Sequence, residues 1–459
     1  MTQISTKPAS GMRDFLPGEV ARRNRVFDTI RQVYESYGFE PLETPAMERL
    51  TTLMGKYGEE GDKLLFKVMK RGAKLQRALD NDNPTELDVG DMGLRYDLTV
   101  PLARVAAEYQ NDLPRFFKRY QIAPVWRADR PQKGRYREFY QCDVDVIGSE
   151  SMTVEADVTS ALTEVLDELG FEDYRIHVNH RLLLTALMER AGVDEDMRSD
   201  ALIAIDKLDK IGKDGVVDEL VERGVDQAAV DELMPLLDAG TNPMSPGDWD
   251  NQETLANLRE EVGHLESGQK AIEDLEQLLT FADAGKSGPR LFIDPYLARG
   301  LSYYTGPIFE IRSDAFSGSL GGGGRYDDLI GMFSKRSIPA CGFSLGVERV
   351  LLLMEEGGMF DDDESTVDVL VTVWNEELTP RSVELASELR EAGLRVDMYP
   401  DTDRYGKQFG YADERDIPYV AILAPDEVEE GVVALKDMKS GDQETIARED
   451  AVAWLRERL

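Results

Sequence analysis

The stretch from Leu182 to Lys286 constrains the fold of this chain more than any other feature, because it interrupts sequence that otherwise forms strands. It is acidic, helical in its apolar period and poor in β-branched and aromatic residues, with breaks at Gly192, Gly212, Gly224 and Asn242-Pro243. Before it, residues 115–147 interleave aromatic and β-branched positions with arginine, as strands with one charged face do. After it, Leu291-Phe-Ile-Asp294 and Ile308-Phe-Glu-Ile311 are strand-like again. A sheet domain in two parts, 1–180 and 287–356, with an all-helical insertion at 181–286, satisfies that order.

Two flanking regions complete the expectation. From Glu19 to Phe39 the apolar residues recur at three and four residue steps, which predicts an amphipathic helix stopped by Gly38. Phe39 to Pro45 then reads as extended, since proline disfavours helix in the residue before it. Gly357-Gly358 and the acidic run Asp361–Glu364 mark a linker at 357–365. Beyond it, Val367–Val373, Leu394–Met398 and Val420–Leu423 alternate with helical sequence, the pattern of a small α/β domain over 366–459. The fold class is therefore α+β, with a C-terminal α/β domain.

Composition decides what surrounds such a molecule. With 459 residues, two or three domains are expected, and 42% hydrophobic with 31% charged residues is ordinary for a globular chain. No run of about 18 apolar residues is present to span a bilayer. Met1–Lys7 is polar, without the apolar core of a secretory signal. Two cysteines, Cys142 and Cys341, make neither a disulfide framework nor a four-cysteine zinc site. These features predict a cytoplasmic protein. The net charge of −36 is extreme, and at ordinary ionic strength it opposes both compaction and nucleic-acid binding. Molar salt shortens the screening length to about 3 Å, so the charge predicts a protein adapted to a saline cytosol.

Against that acidic background one segment inverts. Arg127-Ala-Asp-Arg-Pro-Gln-Lys-Gly-Arg-Tyr-Arg-Glu-Phe-Tyr-Gln-Cys-Asp-Val-Asp145 carries five Arg or Lys residues. Val125, Arg127 and Asp129 share one strand parity, and Phe139, Gln141, Asp143 and Asp145 share another. Two strands joined by a Pro/Gly loop would set guanidinium, ring, amide and carboxylates on one face. That set suits a polyphosphate nucleotide beside a zwitterionic small molecule. A surface ladder of ion pairs is the bland alternative. Arg95-Tyr-Asp-Leu-Thr-Val-Pro101 reads as a short alternating stretch with Asp97 and Thr99 on one face, able to grip an ammonium group, or as a solvated edge strand. Ala298-Arg-Gly-Leu-Ser-Tyr-Tyr-Thr-Gly306 brackets an arginine and two tyrosines with glycines, for close ligand approach or for a hairpin turn. Gly321-Gly-Gly-Gly-Arg-Tyr-Asp327 lacks the ending of a phosphate loop, and Gly342-Phe-Ser-Leu-Gly-Val-Glu-Arg349 marks a strand-to-helix join. His177 and His180, three apart on one strand, fall on opposite faces, which argues against a shared metal.

Together these segments resemble the histidine–tRNA ligases, members of the class II aminoacyl-tRNA synthetases, over nearly the whole chain and in order. Pro45 is similar to the end of class II motif 1, Arg127–Gln141 to motif 2 and Gly342–Arg349 to motif 3. Leu297–Tyr304 and Gly322–Asp327 resemble the two histidine-specific signatures. Asp97, Asp129 and Asp145 stand where bacterial members carry glutamate, and with Tyr140-Gln-Cys-Asp143 the resemblance points to an archaeal or eukaryotic type, the archaeal one favoured by the charge. Ser302 stands where many members carry an acid.

The resemblance implies an antiparallel sheet flanked by helices, a C-terminal anticodon-binding domain and a homodimer with no membrane attachment. Its substrates would be L-histidine, ATP accompanied by Mg2+, and tRNA(His), with no protein-bound metal. Arg127 and Arg299 would be catalytic, clasping the α-phosphate from two sides. Asp97, Leu98, Thr99, Arg127, Gln141, Asp145, Arg299, Tyr303, Tyr304 and Tyr326 would bind histidine: Asp97, Thr99 and Gln141 at the α-amino end, Asp145 and the tyrosine pair around the imidazole. Arg127, Asp129, Arg135, Phe139 and Arg349 would bind ATP, with Phe139 and Arg349 sandwiching adenine and Arg135 on the distal phosphates. Amino acids without ring nitrogens would be rejected because they leave a buried Asp145 unpaired. The alternative is a non-catalytic relative that senses histidine and regulates its biosynthesis; such relatives tend to lose the signature arginines or the C-terminal domain, and both are present here. A bare RNA-binding module is disfavoured by the absence of a basic stripe.

The charge yields a direct test. A circular-dichroism melt across potassium chloride from about 0.1 M to 3 M spans screening lengths of about 10 Å to below 3 Å. The midpoint is expected to rise with salt; full stability at the lowest salt would remove the case for a saline cytosol.

Overall fold

The computed structural model describes residues 4–237, 250–298, 303–334, 336–360 and 365–459. Two compact units account for it, one of residues up to Asp14 with Val26–Gly357, the other of Phe15–Arg25 with Gly358–Leu459. Among the described residues, no helix is long and apolar enough to cross a membrane.

The first unit is built on an eight-stranded sheet. From edge to edge its strands are Glu40–Pro41, Phe117–Trp126, Glu138–Ile147, Ala340–Gly346, Phe316–Arg325, Pro307–Ser313, Arg175–His180 and Leu291–Ile293. The interior pairings are antiparallel, as expected, but both edge pairings are parallel. The reason is the connection: a parallel neighbour needs a long crossover, and the helical insertion is one. The chain leaves the sheet at His180, runs through helices from Arg181 to Ala284, and returns at Leu291 beside Ile176. His180 itself starts the excursion, its Nδ1 accepting the backbone N–H of Leu182 at 3.1 Å.

The described part of the insertion is entirely helical: Arg181–Arg190, Arg198–Ile205, Leu208–Glu222, Gln227–Leu237, Asn251–Val262 and Glu266–Ala284, with a short turn at Glu195–Met197. Gly192 and Gly224 sit at positive φ just beyond helix ends, and Gly212 kinks the third helix at φ 70°. The break expected at Asn242-Pro243 lies outside the described residues, as does the acidic run Asp361–Glu364. A three-stranded sheet of Met47–Arg49, Gly90–Leu94 and Lys67–Met69 was not legible, its strands being too short to show a period.

One buried ion pair staples the sheet to the helix Thr153–Glu168 that covers it. Arg325 donates through Nε and Nη2 to the two oxygens of Glu155 at 2.7 and 2.8 Å, and through Nη1 to the Ser149 carbonyl at 2.9 Å. Glu155 has no exposed surface, and burial pushes its carboxyl up to about 7 against the opposing pull of Arg325.

The second unit carries a five-stranded sheet in the order Val396–Met398, Val369–Val371, Tyr419–Ile422, Val432–Asp437, Gln443–Ala447. Its first three strands are parallel, where the sequence places strands. The last two form an antiparallel hairpin that the sequence reading missed. Helices Thr379–Glu391, Tyr405–Glu414 and Ala451–Arg456 accompany them, so the unit is α/β.

Glu155→Ala strands the Arg325 guanidinium in the core, and losing one partner of a buried pair costs about 3–5 kcal/mol. A clearly lowered thermal midpoint is expected in a calorimetric scan. An unchanged midpoint would show that Asp327 and the loop carbonyls suffice for Arg325.

Candidate active site

A cavity of about 380 Å³ opens on one face of the eight-stranded sheet, and its floor is made by three neighbouring strands. Register brings Asp145 opposite Gly342, Asp143 opposite Ser344 and Gln141 opposite Gly346, while Arg119 pairs with Asp145 from the other side. Gly342 is required there: a Cβ on it would lie 1.9 Å from Asp145 Oδ1. That oxygen cannot simply move aside. The Asp145 carboxylate is 2.8 Å from Nη2 of Arg119, a residue with no exposed surface, and accepts a short hydrogen bond from the Tyr326 hydroxyl. Arg119 is held in turn by the Leu98 carbonyl, which accepts from Nη2 at 3.2 Å.

Three carboxyls lie around this one cation. Burial pushes Asp97, Asp143 and Asp145 above the usual carboxylate range, Asp143 to about 7, and in each case Arg119 works against the rise. Asp97 accepts from Tyr57 Oη at 3.1 Å, the Val100 backbone N–H at 3.1 Å and Tyr303 Oη at 3.5 Å. The Arg95–Pro101 segment is thus not the alternating strand its sequence suggests. It is a turn feeding the helix Thr99–Glu108, and Asp97 ties down the first turn of that helix. Asp97 and Thr99 still reach the cavity together. Gln141 donates from Nε2 to Ser344 Oγ at 2.7 Å.

The mouth carries the opposite charge. Arg127 follows the end of its strand rather than continuing its parity: Nε donates to the Tyr96 carbonyl at 3.1 Å, and the guanidinium lies 4.2 Å from the Tyr96 ring and 5.2 Å from the Phe139 ring. Arg135 pairs with Asp129 at 2.8 Å. Arg349, on the helix Val347–Glu356, donates to the Ser319 carbonyl. Glu348 beside it takes an ion pair from Arg13, whose guanidinium sits 3.4 Å above the Tyr136 ring. Guanidinium groups at the mouth and carboxylates at the floor fit a ligand anionic at one end and cationic at the other.

Of the site residues expected from the sequence, Asp97, Thr99, Arg127, Asp129, Arg135, Phe139, Gln141, Asp145, Tyr303, Tyr304, Tyr326 and Arg349 line this one cavity. Leu98 does not line it; its side chain is fully buried against Ala123, Val125 and Phe139, and its part is played by its carbonyl on Arg119. Arg299 and Ser302 lie outside the described residues. Sequence reasoning missed Arg119, Tyr57, Tyr96, Ser344 and Asp206, the last reaching the cavity from the helical insertion. Arg119 lies in a strand that also carries Lys118 and Gln121, so nothing in the sequence set it apart. Nothing in the linear sequence signals Asp206. His177 and His180 face separate carboxylates, Asp294 at 2.9 Å and Asp274 at 3.3 Å.

Gly342→Ala is expected to leave the sheet folded but to force Asp145 off Arg119 and Tyr326. Since an unsatisfied buried group costs about 1–3 kcal/mol, affinity for histidine should fall by roughly 10- to 100-fold in a calorimetric titration. Unchanged affinity would take Asp145 out of ligand recognition.

Comparison with known proteins gives the family. Residues 11–350 match the family model described as histidyl-tRNA synthetase, and residues 367–458 match that of an anticodon binding domain. The histidine–tRNA ligase of Porphyromonas gingivalis is 45% identical over 450 residues, covering 96% of this chain and 97% of that one. That of Christiangramia forsetii is 41% identical over 455 residues, covering 96% and 98%. The crystal structure of histidyl-tRNA synthetase from Nostoc sp. PCC 7120 superposes with a TM-score of 0.83 at 30% identity, covering all of both chains. These relatives are bacterial, so they lend no support to the archaeal type suggested by the three aspartates. With a family model spanning most of its length and full-length relatives above 40% identity, the chain belongs to the histidyl-tRNA synthetase family.

Proposed function

We propose that this chain activates L-histidine with ATP to histidyl-adenylate and then transfers histidine to the 3′ end of tRNA(His), releasing AMP and pyrophosphate. The observation that carries the reading is the single cavity in which Asp145, fixed by buried Arg119 under Gly342, stands across from Arg127, Arg135 and Arg349. In the first step a histidine carboxylate oxygen bonds to the α-phosphorus and the bond to the β-phosphate oxygen breaks. In the second, a terminal ribose hydroxyl of the tRNA attacks the histidyl carbonyl, and AMP leaves with its electron pair.

Negative charge gathers on the α-phosphate in the first step. Arg127, already pinned by the Tyr96 carbonyl and ring, meets that charge without reorganising, which is where fixed donors are most effective. Arg299 is assigned the opposite side of the same phosphate. Asp97, Thr99 and Gln141 take the α-ammonium, Asp145 and the tyrosines Tyr303, Tyr304 and Tyr326 the imidazole, and Phe139 with Arg349 the adenine. Arg135 meets the distal phosphates with the Mg2+ that ATP brings. The first step needs no general base, because the attacking carboxylate is already ionised; in the second the ribose hydroxyl loses its proton as AMP leaves.

The finer assignments belong to the same proposal. Residues 367–458 read the anticodon, the chain works as a homodimer in the cytoplasm, and the charge of −36 equips it for high salt.

ATP–pyrophosphate exchange, run with each amino acid in turn, tests the reading. Exchange is expected with histidine alone, and Arg127→Ala should slow it by about 100- to 1,000-fold. Absence of exchange with every amino acid, with histidine still bound, would favour the histidine-sensing alternative.

A further inference from the structure

The sheet of the second unit offers a place for a flat ligand. Its strand Val369–Val371 lies between two parallel neighbours, Val396–Met398 and Tyr419–Ile422. In open parallel sheets ligands settle outside the carboxyl ends of such strands. Trp374 follows that end, and among the described residues from 365 onward it is the one exposed aromatic side chain, at 44%.

The indole is held in place by its neighbours. The Tyr405 ring lies 5.3 Å from it, and Phe409, one turn further along the helix Tyr405–Glu414, stacks on Tyr405 at 5.8 Å with 20° between the planes. Gln408 on the same helix is fully buried. Its Oε1 accepts the Val373 backbone N–H at 3.0 Å, and its Nε2 donates to the Val373 carbonyl at 2.8 Å. The residue before Trp374 is thereby bolted to the helix that carries the other two rings. A ring fixed in this way has little freedom left to lose when a ligand lands on it.

Charge decides which part of a nucleic acid fits. Glu376 and Glu377 are exposed just beyond Trp374, and they repel phosphate. A base is neutral, and it stacks on an aromatic face whatever its sequence. Asp403 is already engaged, accepting from Lys407 at 2.6 Å and from Tyr399 at 3.0 Å. Two cations remain: exposed Arg404, immediately before Tyr405, and Lys436, whose Nζ lies 4.7 Å from the centre of the Phe409 ring. Among the described residues neither is paired with an acid, so a phosphate next to a stacked base has a partner.

We propose that Trp374 is a stacking platform for an unpaired base of the tRNA anticodon loop, held by Tyr405 and Gln408, with Arg404 as an adjoining phosphate contact. The proposal rests on the reading above that residues 367–458 read the anticodon. It also gives that contact a mode suited to so acidic a chain, because stacking releases no counterions and keeps its strength in salt.

The test uses the full chain, tRNA(His), and the same tRNA made abasic at its three anticodon nucleotides, which removes the rings and keeps the phosphates. Fluorescence anisotropy gives dissociation constants at a series of potassium chloride concentrations. Trp374→Ala is expected to weaken binding of intact tRNA roughly 10- to 100-fold at every salt concentration, and to leave the abasic tRNA within about twofold. Trp374→Phe, which keeps a ring, should retain most of the affinity. Arg404→Ala should instead lower the slope of log affinity against log salt by about 1. Equal weakening of both tRNAs by Trp374→Ala, or an unchanged affinity for the intact one, overturns the platform. If the abasic tRNA still binds the wild-type chain more weakly than the intact one, the anticodon reading survives that failure. Equal binding of the two tRNAs to the wild-type chain removes the anticodon reading and the platform with it.

Discussion

A guanidinium with no access to water is the fixed point of this molecule. Arg119 is the third residue of a ten-residue strand, and its charge would be untenable there without Asp145 at 2.8 Å and the Leu98 carbonyl. The pairing works in both directions. Arg119 lets carboxyls survive at the bottom of a cavity, where it works against the burial of Asp97, Asp143 and Asp145, with Arg127 also acting on Asp97. A floor lined by buried carboxyls suits a ligand with a cationic end. On the proposed function such a ligand would relieve the buried carboxyls as it binds, so the same residues would serve structure and recognition.

Glycine makes that placement possible, for reasons of space. A Cβ on Gly342 would strike Asp145, and one on Gly323 would lie 2.2 Å from the Gly342 carbonyl and 2.6 Å from the Phe343 backbone. A side chain at Gly321 would meet the Phe343 ring at 2.5 Å. Glycine weakens a strand by roughly 0.5–1 kcal/mol relative to alanine. Here the loss is offset because the Phe316–Arg325 strand is hydrogen-bonded on both sides, and Arg325 at its end is clamped by Glu155. The run of glycines, unlike a phosphate loop, is a filler of crowded sheet.

How much of this could be read from the residues depends on the range over which each feature is encoded. Strand parity is local, so Phe139, Gln141, Asp143 and Asp145 were placed on one face, and the sheet pairs them accordingly. The insertion was visible because composition changes over a long window. The segment at Arg95 deceived because alternation over seven residues looks like a strand, whereas the Asp97 carboxylate bonding the Val100 N–H makes it a helix start. Arg119 and Ser344 were passed over for a different reason. Their roles exist only across strands, and a single sequence carries no record of register. The hairpin Val432–Asp437 with Gln443–Ala447 was missed because its outer strand is mostly exposed and polar, leaving no apolar face to find.

The pairing of Asp145 with Gly342 also sets a timetable. The two residues are neighbours in the sheet but lie about 200 positions apart in the chain, with the whole helical insertion between them. Contacts of such separation form slowly, because a long loop must close before they return any stability. On a ribosome, the long hairpin Phe117–Ile147 emerges with its charged face already formed but with nothing to cover Asp143 and Asp145. The helices of the insertion can fold locally while the synthesis of the last strands continues. Until Ala340–Gly346 docks, the pair of Arg119 and Asp145 lacks the strand that lies beside it in the folded sheet.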